Sequence, residues 1–420
     1  MQKVTYPWPR FGSRFLVFLV LLFFLSCYEE VVFPEPDADL FELLVTGETE
    51  QFIYESRDTS YSVNSEQRLL LLNGTAVELD EIRVRGKSAL RFRRKSYAVF
   101  LHAPVFVESR DGTYTKQLTR FKLIALAQDY TYIENRIAFG IMEEAGLMPL
   151  FYKFVEFRIN GATQGVYLLI EDPEQYYREN GSEYIIRRGY NHRIDDAAYF
   201  PSSRFIAEEE YQRRFLEIYE ALPRMEGLEL FSYIAERLDT EQYFFKMGID
   251  YLLMNGDYTD EVYLYARVEE DATRFRLIPW DYDDIFKEQP HEVGVTWGTG
   301  TLYGKRTYTS MQDITDEIGE KLIFSIEDDL DYTIAIDPVL YQQYINALKR
   351  LTDILDNDLI DRVFDETEIE LGTFYDAPPV IDQSRYDKDH TTRELWEENM
   401  TGKKRILEER LVSINNALGK

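Results

Sequence analysis

Three aspartates, Asp257, Asp281 and Asp283, stand at the ends of predicted elements rather than inside them. Asp257 follows Gly256 at the close of a helical stretch, and Asp281 follows the apolar run Ile278-Pro279-Trp280 at the end of a predicted strand. Strands predicted over Glu261–Val268 and Arg274–Trp280 pair as a hairpin. Its open end brings Asp257 and Glu261 beside Asp281 and Asp283, with Asp284 adjoining. Alternation along an extended chain puts Asp281 and Asp283 on one face. Carboxylates gathered in this way repel one another unless they are protonated or bind cations. Hard divalent ions such as Mg²⁺ take such oxygen ligands and bring phosphate groups with them. The competing reading is a set of helix-capping and solvated loop acids, which weighs in a chain with 76 Asp and Glu residues. Placement at strand ends beside apolar residues favours the first reading. A paired-carboxylate glycosidase also stays compatible with so many acids and aromatics.

A second constellation is basic. Seven of the thirteen residues from Arg83 to Lys95 are cationic: Arg83, Arg85, Lys87, Arg91, Arg93, Arg94 and Lys95. They lie between two predicted strands with Gly86 and Ser88 at the turn. Such a concentration suits a polyanion such as nucleotide phosphates. It equally suits an edge strand guarded by charge.

The elements that would position these groups form an α+β pattern. Strand signals occupy Gln67–Leu72, Glu81–Arg85, Tyr97–Leu101 and Phe121–Ala125. Thr131 and Glu134 have capping-box spacing ahead of a helix carrying Ile133, Ile137, Ile141 and Ala145. Two further strands, Phe154–Ile159 and Gly165–Glu171, meet through Asn160-Gly161, a hairpin signal. The second half reads as more helical: Tyr211–Leu222, Gly227–Arg237, a helix capped by Asp239 and running to Asn255 with Gly256 at C′, a helix opened by Asp337-Pro338, and a last one striped by Leu407, Leu411, Ile414 and Leu418.

Composition removes several function classes. Lys and Arg number 47 against 76 acids, a net charge of −29, which disfavours nucleic acid as a partner. A single cysteine excludes an intrachain disulfide and any cysteine-rich zinc module. Four scattered histidines give no HExxH cluster, and there is no GxSxG motif. The run Gly298 to Arg306 departs from a Walker A loop in spacing, and Arg306 stands where Ser or Thr would hold Mg²⁺, so it reads as a surface loop.

At the amino terminus Arg10 and Arg14 precede an apolar run from Phe15 to Leu25, long enough for a signal peptide and too short to span a bilayer. Phe24-Leu25-Ser26-Cys27 resembles a bacterial lipobox, which implies lipidation at Cys27 and an envelope location, periplasmic or surface-exposed, with a membrane anchor; the competing reading is an ordinary signal peptide, or an uncleaved anchor with an incidental cysteine. Residues 1–27 are then the signal peptide and 28–40 an acidic tether.

The order of segments from about residue 65 to 290 resembles the CotH family of atypical kinases. The motifs are Ile82-Arg83-Val84-Arg85-Gly86-Lys87-Ser88 with Lys95-Ser96-Tyr97, Asn135-Arg136, Asn160-Gly161 with Gly165 to Glu171, and Asn255-Gly256-Asp257 with Tyr263-Leu264-Tyr265 and Ile278 to Asp283. The resemblance implies a distant protein-kinase-like fold over residues 41–420, with a β-rich lobe (41–172) and a mostly helical lobe (173–420). It implies transfer of phosphate from ATP, with Mg²⁺ or Mn²⁺, to Ser or Thr of an unidentified protein acceptor. By the same resemblance Asp257 is the catalytic Asp, Asp281 with Asp283 binds metal, and Lys95, assisted by Arg85 and Lys87, contacts phosphates. Glu261 stands where the family usually has Asn, and Lys87 replaces the Asn of the glycine-serine turn. Glu134 is read as structural rather than as a partner of Lys95. Because ATP is scarce outside the inner membrane, the alternative is a non-catalytic surface binding or assembly lipoprotein on the same scaffold.

Overall fold

The computed structural model describes residues 38–58, 61–63, 68–86, 88–189, 193–200, 206–257, 262–269, 272–294, 302–303, 306–377, 380–381 and 392–420. The segment from Pro36 to Lys420 forms one compact unit. Cys27, Lys87 and Glu261 lie outside the described residues.

The first part of the chain builds an eight-stranded sheet. Its strands are β1 (Leu40–Val45), β2 (Arg68–Leu72), β3 (Thr75–Val77), β4 (Leu79–Arg85), β5 (Ser96–Glu108), β6 (Thr115–Ile124), β7 (Tyr152–Ile159) and β8 (Ala162–Glu171). The spatial order is β3-β2-β1-β7-β8-β6-β5-β4. Only β1 against β7 is a parallel pair among the described neighbours in this sheet. The Asn160-Gly161 turn closes β7 onto β8, with φ of 50° and 80° at its two residues, the positive pair a two-residue hairpin of this twist requires.

Strand alternation divides this sheet between two cores. Tyr167 and Leu169 of β8, Ile82 and Val84 of β4, and Phe121 and Leu123 of β6 pack with Phe41 and with Ile53 of helix α1 (Gly47–Glu55). Val166, Leu168 and Ile170 face the other way, onto Ile137 and Ile141 of helix α2 (Glu134–Glu144) and into the main core. Residues one step along β4 and β6, namely Arg83, Arg85 and Lys122, therefore share the face on which α2 lies.

After α3 (Pro173–Glu179), a four-stranded antiparallel sheet follows in the order β10-β9-β11-β12, made of β9 (Ser182–Arg188), β10 (Ile194–Tyr199), β11 (Tyr263–Glu269) and β12 (Ala272–Ile278). Helices α4 (Glu208–Ala221), α5 (Gly227–Ala235) and α6 (Thr240–Leu253) lie between β10 and β11 in sequence, and α7 (Met311–Ile318), α8 (Asp329–Ile336), α9 (Pro338–Ile354), α10 (Asn357–Tyr375) and α11 (Arg393–Ala417) come after β12. Asp239 caps α6 through the amide of Gln242, and Asp337 caps α9 through the amides of Val339 and Leu340, as the sequence suggests. The fold is thus mixed α+β. Among the described residues no helix is long and apolar enough to cross a membrane.

Two local expectations are corrected. Helix α2 has no capping box: the Thr131 hydroxyl bonds to Asp129 at 2.9 Å, and it is Asp129 that accepts the Glu134 amide at 2.7 Å. Helix α6 ends at Leu253, two residues early, because Met254 takes the left-handed conformation (φ 52°) expected for a C′ glycine. Gly256 is needed for space instead. A Cβ there would lie 2.6 Å from an Asp284 carboxylate oxygen and 2.7 Å from Lys287 Cγ.

Candidate functional site

The acidic end of the site is assembled by main chain. The segment after α6 and the segment after β12 run side by side, joined by four hydrogen bonds. Phe286 N donates to Leu253 O (2.8 Å), Lys287 N to Met254 O (3.1 Å), Gly256 N to Asp284 O (2.9 Å) and His291 N to Gly256 O (3.1 Å). Gly256, next to Asp257, is thereby held against Asp284 of the acidic turn. Asp281 itself sits at φ 51°, a left-handed conformation that costs a non-glycine residue about 1 kcal/mol or more and recurs at functional turns. Its conformation is held from outside: the next amide, Tyr282 N, donates to Asn135 Oδ1 of α2 at 2.9 Å, and the Tyr282 ring packs edge-on against Phe139.

Negative charge accumulates here. Burial, then the charges of Asp281, Asp129, Glu134 and Asp284, push the Asp283 carboxyl well above the usual carboxylate range. Burial and Asp129 raise Glu134 to about 7, against the pull of Lys403 of α11, whose ammonium lies 2.7 Å from Glu134 Oε1. Burial works against an ionised Asp284, yet its contacts with His291 and Lys287 outweigh it and lower its pKa. A bound divalent cation would relieve this crowding, so the carboxylates fit such an ion in kind. Among the described residues, however, no three His, Cys, Asp or Glu side chains are already grouped to hold one.

Beside the acids lies a cleft of about 480 Å³ between the two sheets. Arg83 and Arg85 of β4 and Lys122 of β6 line one wall, while Arg187 of β9, Tyr263 of β11 and Ile278 of β12 line the other. Tyr263 pairs across the small sheet with both Arg187 and Ile278, which puts the three on one face. Trp280 forms the floor. The Arg85 guanidinium and the Lys122 ammonium lie 5.2 Å and 4.5 Å from its ring centroid, and Tyr263 meets it edge-on. Burial lowers the pKa of Lys122, opposed by Asp172, whose carboxylate is 3.3 Å away. A smaller recess of about 30 Å³, lined among others by Arg85, Asn135, Trp280 and Asp281, adjoins the carboxylates. Four cations and two acids, Glu174 and Asp196, surround the aromatic floor, and the excess of positive charge suits a phosphorylated ligand with an attached ring.

The basic segment is split. Arg85 reaches the cleft, but Lys95 does not: it is 1 % exposed, and its ammonium donates to the carbonyls of Leu90 (2.7 Å) and Phe92 (2.6 Å), closing the turn that begins at Ser88–Arg91. Glu134 meets Lys403. Sequence reasoning passed over Lys122, Arg187, Asp129, His291 and Lys403. For Lys122 there was a signal, a lone lysine between the inward-facing Phe121 and Leu123 of a strand. Lys403 and His291 act across long sequence separations and left none.

A family model described as CotH kinase protein matches residues 82–413. The chain is also similar to inner spore coat protein H of Bacillus subtilis (strain 168), 22% identical over 258 residues, which cover 57% of this chain and 64% of that relative. The chain thus spans just under two thirds of the length of the curated relative it matches. With the match running from β4, across the cleft and the acidic turn, into α11, the chain belongs to the CotH family of kinase-like proteins.

Proposed function

We propose that the protein is a phosphotransferase that moves the terminal phosphoryl group of ATP, with Mg²⁺ or Mn²⁺, to a Ser or Thr hydroxyl of a protein acceptor. The observation that carries this reading is the junction of a cationic, Trp280-floored cleft with the Asp281–Asp284 turn, whose Asp284 carbonyl accepts the amide of Gly256, next to Asp257. In this reading Arg83, Arg85 and Lys122 hold the phosphates, and Trp280 and Tyr263 supply apolar surface to the rest of the nucleotide. Asp281 and Asp283 would hold the divalent ion, which supplies charge neutralisation when bound. Asp257 orients the acceptor hydroxyl and takes its proton while the acceptor oxygen bonds to the γ-phosphorus and the bond to ADP breaks. Catalysis of this kind asks the protein mainly for positioning and electrostatics, and both lie in the stitched segments. Lipidation at Cys27 would hold the enzyme in the bacterial envelope.

The burial of Lys95 on backbone carbonyls favours a second reading, an assembly lipoprotein without transfer activity on the same scaffold. Calorimetric titration of the full chain with ATP and Mg²⁺ or Mn²⁺ separates the two. Metal-dependent binding weakened by Arg85→Ala and Lys122→Met supports the transferase. No binding contradicts it.

A further inference from the structure

We propose that His291 is a positioning residue of the transfer site, fixing the carboxylate of Asp257 against the Asp281–Asp284 turn; the inference rests on the phosphotransfer reading above. The imidazole lies between the two segments. Its Nε2 is 2.7 Å from Asp284 Oδ2, and its Nδ1 is 3.7 Å from Asp257 Oδ1, a charge contact beyond hydrogen-bond length. The absence of a side chain at Gly256 is what lets the Asp284 carboxylate reach this point.

The four main-chain bonds already hold the segments together, so the imidazole is not required for their docking. At 45 % side-chain exposure it contributes little buried surface. What it adds is control over a side chain that the main-chain bonds do not orient. The groups facing it are Asp257 from the loop after α6, Asp284 with Lys287 beside it from the acidic turn, and Glu327 from the segment before α8. Contact with Asp284 raises its pKa above the ordinary value, with burial opposing and the charges of Asp284, Asp257 and Glu327 adding to the rise. As imidazolium it can donate from both nitrogens, one toward each carboxylate. It then keeps Asp257 aimed for the acceptor hydroxyl. As neutral imidazole it releases one of the two.

The test compares the full chain with His291→Ala, measuring kcat and KM for ATP from about pH 6 to about pH 9. The expected result is a fall in kcat of about tenfold or more with KM for ATP within about twofold of wild type. Wild-type kcat should also fall as pH rises through the His291 pKa, a limb the variant lacks. Unchanged kcat, or an identical pH profile, overturns the proposal. If wild type shows no transfer, the phosphotransfer reading fails, and a second measurement judges the coupling separately. The imidazole proton signals of the four histidines are followed by NMR, and His291→Ala assigns the relevant one. Asp257→Asn should lower the His291 pKa; an unaltered value overturns the coupling whatever the activity.

Discussion

Between Asp281 and His291 the chain gathers its charged side chains with main-chain hydrogen bonds, whereas between Arg83 and Lys95 it disperses them. Arg85 lies over Trp280 in the cleft, and Arg83 lines the same cleft with its guanidinium over Phe100. Arg91 bonds to Gln128, Arg93 lies over Tyr54, Arg94 is buried against Tyr132 and Tyr167, and Lys95 turns in on carbonyls. Both regions are dense in charge along the sequence, but only the acidic one is dense in space. The difference is in the backbone. Two chain ends meeting at the mouth of a hairpin concentrate whatever they carry. A strand followed by a tight helical turn distributes it over several faces.

The comparison breaks most readily at the carboxylates. Asp257→Ala and Asp281→Asn should each lower label transfer from ATP by about 10³-fold or more. Asn tolerates the left-handed φ of Asp281, and removing one charge relieves its neighbours, so the melting temperature of Asp281→Asn should stay level or rise. A drop in both transfer and melting temperature would mark Asp281 as structural.

The basic segment should divide into two kinds of residue. Lys95→Met leaves two enclosed carbonyls without their ammonium and should cost about 2–3 kcal/mol by denaturant unfolding, with little change in ATP affinity once folded. Arg85→Ala should do the reverse, weakening ATP about tenfold with little change in stability. If Lys95→Met instead weakened ATP at full stability, Lys95 would belong with Arg85 among the ligand contacts.

The acidic turn also has a pH signature. The Glu134 pKa is raised to about 7 in the folded protein, above the ordinary value of 4.5 that it has in the unfolded chain. Its contribution to stability is therefore fully present below about pH 4.5 and is lost as pH rises through about 7. Glu134→Gln should remove that part of the dependence, a difference of about 3 kcal/mol between the two ends of the window. Equal slopes in wild type and variant, from unfolding at several pH values, would place the charge strain elsewhere. Smaller again, Asn135→Ala removes one hydrogen bond to Tyr282 N and should cost about 1 kcal/mol while lowering turnover.

Much of this was legible in the sequence for local reasons. The Asn160-Gly161 hairpin, the Asp239 and Asp337 caps and the β11–β12 pair are short-range features. The rest depends on contacts that no spacing encodes. Lys95 looked like a ligand contact because its burial comes from the way the chain folds after β4, not from its neighbours in sequence. Asn135 was visible only as part of a motif, and its work on Tyr282 spans 147 residues. Lys403 reaches Glu134 from the last helix, across 269 residues. Met254 took the conformation assigned to a glycine because Gly256 was needed for the approach of Asp284.

Phosphate transfer at the carboxylates beside the cleft can be followed directly. The most direct measurement incubates the full chain with γ-labelled ATP and Mg²⁺ or Mn²⁺, and follows label into the protein itself and into a Ser-rich acceptor. Asp257→Ala and Asp281→Asn run in parallel. Metal-dependent incorporation in wild type, abolished in both variants while they keep wild-type folding, is the result expected. No incorporation with either metal, or incorporation that survives both substitutions, would contradict the account.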